Sequence, residues 1–440
     1  MQFLEKYNIL FQHQYGFRKN HSTIFPIIQL LNFIAEHNDK PTKDVTLSIF
    51  LDLSKAFDTI PHEALLKKLE HYGIRGMSNE WFNSYLSERK QFLEFKSVKS
   101  TEQIIQCGVP QGSILGPILF LLFINDMHTA TELNLLSFAD DTTVYASGKN
   151  LNETITHVNQ ELAKLFTWFC ANKLQLNTNK SNFMIFSPSN IGINVLRNDV
   201  TINNEKICQI GNNCNNKSFK FLGVHLDENL TWNCHISHIH KKISQALFVI
   251  NRVKNFLPIT ALHNLYHSLI HSHVNYGLQL WGNSVHINKI TILQKRAIRT
   301  ICLKTYRSHT EPLFKASNIL KVEHLYETQT ALFMYDFHKK LLPTSFTNFQ
   351  IAKSSRTDMV TRQATQMLTD RARTNFSSRL PKHSFPSIWN AVDPKIKLSK
   401  SRNIFKKMVK HNIIQNYKDK VKCNSPMCTE CGNRQLTQTS

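Results

Sequence analysis

The sequence predicts an α+β chain that ends in a basic C-terminal region. Three observations carry that prediction. Val45–Leu53 (VTLSIFLDL) is an almost unbroken apolar and β-branched run, the pattern of a strand buried on both faces. Apolar stripes at spacings of three and four flank it and then dominate the second half, as amphipathic helices require. Between Ser345 and Ser440 there are 18 Lys/Arg against five Asp/Glu, more than half of the net +22 carried by 440 residues.

In chain order, the Val45–Leu53 strand leads into a helix with Pro61 in its first turn. Leu65, Leu69 and Tyr72 lie on one face of this helix and Gly73 stops it. Ser137–Tyr145 (SFADDTTVY) reads as two short strands around an Asp-Asp turn. A helix from about Glu153 to Ala171 buries Ile155, Val158, Leu162, Leu165 and Phe169. From about residue 228 to 342 the pattern is helical, with one stripe of Ile236, Ile239, Ile243, Leu247 and Ile250. A second stripe of Ile290, Leu293, Ala297 and Ile301 has Lys295, Arg296 and Arg299 close by. A linker is expected around Phe346–Arg362, so the regions are 1–227, 228–342 and 343–440.

Apolar residues make up 41% and aromatics 10%, and Gly and Pro number only 13 each, which excludes disordered and collagen-like chains. The longest apolar stretch, Ile114–Ile124, is too short to span a bilayer and is broken by Gly116 and Pro117. The N-terminus lacks the basic flank and apolar core of a secretory signal, so an intracellular protein is expected, with no membrane partner. The basic excess favours a polyanionic partner, with a solvated tail as the alternative. Six cysteines (Cys107, Cys170, Cys208, Cys214, Cys234, Cys302) are scattered as reduced thiols would be.

Three carboxylates point to chemistry. Asp52 lies at the end of the most buried strand, where a charge is costly without a partner or a metal. Asp140 and Asp141 are adjacent at an apolar turn, and neighbouring like charges raise each other's pKa unless a cation shares them. If the strand lies beside the hairpin, the three converge. Such hard oxygen ligands suit Mg²⁺ (or Mn²⁺), and two ions ~3.5–4 Å apart could activate a hydroxyl and stabilise a leaving pyrophosphate.

FLDLSKAFDTIPH (Phe50–His62), GVPQGSILGPILF (Gly108–Phe120) and FADD (Phe138–Asp141), in this order, resemble the reverse transcriptases of non-LTR, LINE-type retrotransposons, the jockey-like group above all. The resemblance extends to QYGFRKNHST (Gln14–Thr23), Lys180, FLGV (Phe221–Val224), NYGLQLWGN (Asn275–Asn283) and SIWNAVDPKIK (Ser387–Lys397), and so covers nearly the whole chain. It implies a right-hand polymerase: partial fingers and a palm with an antiparallel sheet over 1–227, a helical thumb over 228–342, then the basic region. It implies RNA-directed DNA synthesis on an RNA template and DNA primer with dNTPs, and two divalent ions.

By motif, Asp52, Asp140 and Asp141 would be the catalytic metal ligands. Phe57 would exclude a 2′-hydroxyl by its bulk, with a core ring as the alternative. Gln111 and Gly112 would lie against the incoming base pair, Gly112 permitting close backbone approach. Arg18 would hold the triphosphate with its guanidinium fork. Lys180 would protonate the departing pyrophosphate or simply contact phosphate. Phe221, Leu222 and Gly223 would support the primer terminus, although the residues alone read as a strand end. Lys295, Arg296 and Arg299 would track duplex phosphates, or form a solvated face.

The family pattern begins upstream of this chain, and no residues are left for an endonuclease domain, so a fragment of a longer element is expected. A catalytically silent remnant that only binds nucleic acid is the alternative function. Nuclear placement would follow from copying into chromosomal DNA. Cys423, Cys428 and Cys431 form a candidate zinc set, but zinc is not expected at three ligands where four are needed. His235 and His238 read as a polar helix face, and His271 and His273 as alternating strand or loop positions.

Overall fold

The Val45–Leu51 strand is the centre of a five-stranded sheet, and all seven of its residues are buried in the computed structural model. The structure describes residues 1–187, 199–211, 214, 216–346, 367, 372 and 377–418. The sheet runs Cys208–Ile210, Asn182–Phe186, Val45–Leu51, Asp141–Gly148, Asn134–Phe138. Its pairings are antiparallel except that of Cys208–Ile210 with Asn182–Phe186. The strand has no solvated face, so even Thr46 and Ser48, at alternate positions, are fully buried.

The chain divides into two units, Met1–Lys217 with Leu342–Asn348, and Ser218–Leu341 with Phe349–Ser440. In the first, the Ile24–Asn38 and Leu151–Ala171 helices pack on the sheet. The latter buries Ile155, Val158, Leu162, Leu165 and Phe169, the stripe its spacing predicts. The apolar Leu115–Ile124 helix is inside the same core and packs on the His62–His71 helix, for which Pro61 is the residue just before the first turn.

The second unit opens with the Phe219–Phe221 and Val224–Leu226 hairpin. Its Asn233–Val253 helix buries Ile236, Ile239, Ile243, Leu247 and Ile250, and the Asn288–Ile301 helix packs against it. His235 is 1% exposed against Trp281, so the polar face expected for the His235–His238 pair holds for His238 alone. His271 and His273 are also corrected: they lie on the helical run from Ile259 to Asn275, where a π turn at His267–His271 blurs the 3.6-residue period.

The described part of the basic C-terminal region contains the Pro381–Ala391, Pro394–Lys397 and Arg402–Gln415 helices. The first and last pack on the Val322–His338 helix through Phe385, Trp389 and Phe405. Each such side chain contributes roughly 1.5–3 kcal/mol by leaving water. Arg402 adds an ion pair to Asp336 at 2.8 Å. No described helix is long and apolar enough to cross a membrane.

Candidate active site

The sheet register brings the three carboxylates together. Leu51 pairs with Thr142, so the next position sets Asp52 opposite Asp141. Phe138 pairs with Asp141, leaving Ala139 and Asp140 as a two-residue hairpin loop. Burial first, then the charge of Asp52, pushes the Asp140 carboxyl above its usual range. Asp141 keeps one side open to solvent, yet burial of its carboxyl, followed by the charges of Asp140 and Asp52, lifts it to about 6.

Crowded carboxylates, two of them raised in this way, are the donor chemistry a hard divalent cation satisfies. Among the described residues, no three His, Cys, Asp or Glu side chains are arranged to hold one ion. The three Asp therefore share a rim, with the charge of Asp52 acting on Asp140 and both acting on Asp141, without closing a single-ion cage.

Lys180 reaches this rim because the turn that carries it is tied to the backbone of Asp52. Asn177 N–H donates to the Asp52 carbonyl at 2.8 Å, and Asp52 N–H donates to Ser181 Oγ at 3.2 Å. Lys180 Nζ then lies 4.0 Å from Asp52 Oδ2, with both side chains open to solvent.

Phe57 is half-buried. One face of its ring stacks on Phe120 at 4.1 Å and the Phe17 ring stands perpendicular to it at 6.0 Å, so it is both a packed ring and a bordering one. Gln111 donates from Nε2 to Asp58 Oδ1 at 2.7 Å, which fixes its direction from a residue that sequence reasoning passed over. Gly112 has φ +83, a conformation that calls for glycine, and open space where a Cβ would stand.

Arg18 departs from its expected role. Its side chain is 6% exposed, with Nε and Nη2 donating to Glu5 at 2.8 and 2.7 Å and Nη1 donating to the carbonyls of Phe11 and Gln14. Four of the five N–H donors of a guanidinium are thereby engaged, which leaves no free fork for a triphosphate. The Arg18 guanidinium in turn holds the Glu5 carboxyl below its ordinary range.

Sequence reasoning also passed over Gln14, although its motif was in view. Gln14 is 4% exposed, accepts from the N–H groups of Gly16 and Ala139, and donates to the carbonyl of Ala139. Only its position two residues before a glycine could have drawn attention to it. Gly16 itself comes so close to the hairpin that a Cβ would lie 2.2 Å from Ala139 N.

The other expected residues lie in the second unit. Leu222 and Gly223 form the two-residue loop of a hairpin that Phe221 closes against Val224, so the strand end is a turn. On the Asn288–Ile301 helix, Arg296 is exposed, Lys295 is half-buried, and Arg299 donates from Nε to the Ser308 carbonyl at 2.8 Å. Cys423, Cys428 and Cys431 lie outside the described residues.

A strand-borne Asp thus meets an Asp-Asp hairpin on a mostly antiparallel sheet, and the comparisons say which family the domain belongs to. Residues 1–226 match the family model for reverse transcriptase (RNA-dependent DNA polymerase). The chain belongs to the reverse transcriptases, and among them to those of jockey-like non-LTR retrotransposons.

It is 29% identical over 302 residues to the RNA-directed DNA polymerase from mobile element jockey of Drosophila melanogaster, covering 66% of this chain and 31% of that one. It is 27% identical over 346 residues to the RNA-directed DNA polymerase assigned to transposon BS of the same species, covering 73% and 36%. The chain thus spans about a third of the length of the relatives it matches. Apo telomerase from Candida Tropicalis aligns with a TM-score of 0.36 and 13% identity over 79% of this chain and 58% of that chain, a likeness too slight to carry an argument.

Proposed function

We propose that this chain is the polymerase portion of a non-LTR retrotransposon reverse transcriptase, extending a DNA primer with dNTPs on an RNA template. The observation that carries the reading is the meeting of Asp52, Asp140 and Asp141 on one rim of a reverse-transcriptase domain. In this reading residues 1–227 are fingers and palm, 228–342 the thumb, and 343–440 a basic region that adds affinity for nucleic acid.

Two divalent ions, Mg²⁺ or Mn²⁺, bound by the three Asp would supply Lewis acidity at the attacking and leaving oxygens. The primer 3′-oxygen bonds to the α-phosphorus as the bridging α–β P–O bond breaks. The hydroxyl proton passes to solvent, and Lys180, beside Asp52, donates one to the pyrophosphate. Phe57 borders the sugar, and Gln111, held by Asp58, borders the base with Gly112. Phe221, Leu222 and Gly223 support the primer end, while Lys295, Arg296 and Arg299 contact duplex phosphates, contributing affinity without sequence preference.

The test is primer extension on an RNA template with dNTPs and Mg²⁺ or Mn²⁺, beside an Asp140→Asn/Asp141→Asn double variant. Extension by the wild type and none by the variant is expected. Salt-dependent duplex binding by both proteins with extension by neither would replace the polymerase with a silent nucleic-acid-binding remnant.

A further inference from the structure

We propose that Gln14 is a positioning residue for the catalytic carboxylates: its side-chain amide holds the left-handed Ala139 that aims Asp140 and Asp141. This rests on the polymerase reading above, but its geometry stands apart from it. In a two-residue hairpin loop the inner residues have no ladder partners, because the closing pair, here Phe138 and Asp141, takes the last ones. Ala139 is also buried, so its N–H and C=O cannot turn to water.

Gln14 answers both groups with one side chain. Oε1 accepts the Ala139 N–H at 2.9 Å and Nε2 donates to the Ala139 carbonyl at 3.3 Å. The same Oε1 takes the Gly16 N–H at 2.8 Å, which orients the amide plane. An amide offers an acceptor and a donor side by side at any pH; an ionised carboxylate lacks the donor and an alkyl group lacks both. The backbone of Ala139 has φ +58, a conformation that an L-residue adopts only when its surroundings impose it.

The neighbouring residues fix the clamp in place. Tyr15 N–H donates to the Ser137 carbonyl at 2.8 Å, and Ser137 N–H donates to the His13 carbonyl at 3.0 Å. These bonds lay the segment parallel along the outer edge of the Asn134–Phe138 strand. Arg18, anchored on Glu5, donates from Nη1 to the Gln14 carbonyl at 3.0 Å. Gln14, Gly16 and Arg18 therefore act as one device: the amide grips the turn, the missing Cβ lets the backbones approach, and the guanidinium pins the gripping segment. The Arg18 guanidinium would act on the chemistry through Gln14 and not by touching the triphosphate.

The experiment uses the full chain and four proteins: wild type, Gln14→Leu, Gln14→Glu and Gln14→Leu/Ala139→Gly. Amide hydrogen exchange at Ala139 and Asp141, Mn²⁺ affinity by electron paramagnetic resonance, and primer extension resolved into kcat and KM for dNTP are read on each. Gln14→Leu is expected to lose protection at Ala139 while Val45–Leu51 stays protected. Its Mn²⁺ affinity and kcat should fall about 10–100-fold, the usual effect of removing a group that orients metal ligands, with KM within about threefold. Gln14→Glu should fall between wild type and Gln14→Leu at pH values where its carboxyl is ionised, because it then keeps the acceptor and loses the donor.

Glycine adopts positive φ freely, so Ala139→Gly should restore most of the Mn²⁺ affinity in the Gln14→Leu background. Wild-type protection and Mn²⁺ affinity in Gln14→Leu would overturn the proposal. So would their loss only through global unfolding that Ala139→Gly does not reverse. If the wild type neither binds Mn²⁺ nor extends a primer, the polymerase reading fails, and exchange at Ala139 alone decides whether Gln14 holds the turn.

Discussion

Two hairpin turns in this chain solve the same problem in different surroundings. Phe138–Asp141 and Phe221–Val224 each enclose two loop residues, and each places a non-glycine first in the left-handed region, Ala139 at φ +58 and Leu222 at φ +44. That conformation costs roughly 1–2 kcal/mol for an L-residue. In both cases a side chain distant in sequence holds it: the Gln14 amide on Ala139, and the Tyr276 hydroxyl donating to the Leu222 carbonyl at 2.6 Å. In the first turn Ala139 is buried, so protein atoms must satisfy both of its backbone groups. The second is partly exposed and has Gly223 as its other residue, so one hydrogen bond suffices beside water. A turn whose backbone is buried beside a charged rim needs a tertiary clamp where a surface turn needs only a prop.

The widest gap between the turns should come from adding one methyl group beside each. Gly16→Ala forces backbone against backbone and is expected to cost about 3 kcal/mol, at the upper end for overpacking. Gly223→Ala meets only the Tyr276 ring edge, so strain at φ +82 dominates, about 1 kcal/mol. Urea denaturation of the two variants compares them, and equal costs would remove the distinction.

Acid should then move the two regions in opposite directions. Burial, then the charges of His225 and His238, depresses His235 to about 3 from an ordinary 6.5. A lowered folded pKa means the unfolded chain takes the proton first, so stability is lost as pH falls below 6.5. The loss is roughly 2 kcal/mol by pH 5, and His235→Phe should flatten it.

Asp141 has the reverse sign, since its folded pKa of about 6 lies above the ordinary 3.8. Its contribution is fully present below 3.8 and is lost as pH rises through 6. Asp141→Asn should therefore stabilise the metal-free protein at pH 7. The gain is of order 1 kcal/mol, less than the shift alone implies because solvent screens an exposed carboxylate, and it should vanish toward pH 4. Denaturant midpoints across pH 4–7 test both signs.

The smallest effect is expected from Tyr276→Phe, which removes the prop on Leu222 and should cost about 0.5–1 kcal/mol, since water can replace it. A cost as large as that of Gly16→Ala in the same urea titration would mean the exposed turn depends on its support as fully as the buried one.

Much of the site was legible without coordinates because its signals are local. Val45–Leu51 announced itself by an almost unbroken apolar and β-branched run, and the Asp140–Asp141 turn by two charges between apolar strands. The stripes of Leu151–Ala171 and Asn233–Val253 repeat within one or two turns of helix. What escaped was set by distant partners. Arg18 looks like a free cation until Glu5 is brought beside it, and His235 looks polar until Trp281 covers it. The C-terminal helices were obscured by their many cations, which mask a small apolar set of Phe385, Trp389 and Phe405.

The sequence by itself determined the elements that carry the site, the family and the identity of the three carboxylates, because periodicity, turn chemistry and motif order are written within a few residues of each other. Only the tertiary structure decided how those carboxylates are aimed. Gln14 meets Ala139 across 125 positions of chain, and Asp52 meets Asp141 only because the Val45–Leu51 and Asp141–Gly148 strands pair in one register. A one-residue slip of that register would turn each side chain to the opposite face of the sheet, and no local pattern specifies which partner a strand will choose.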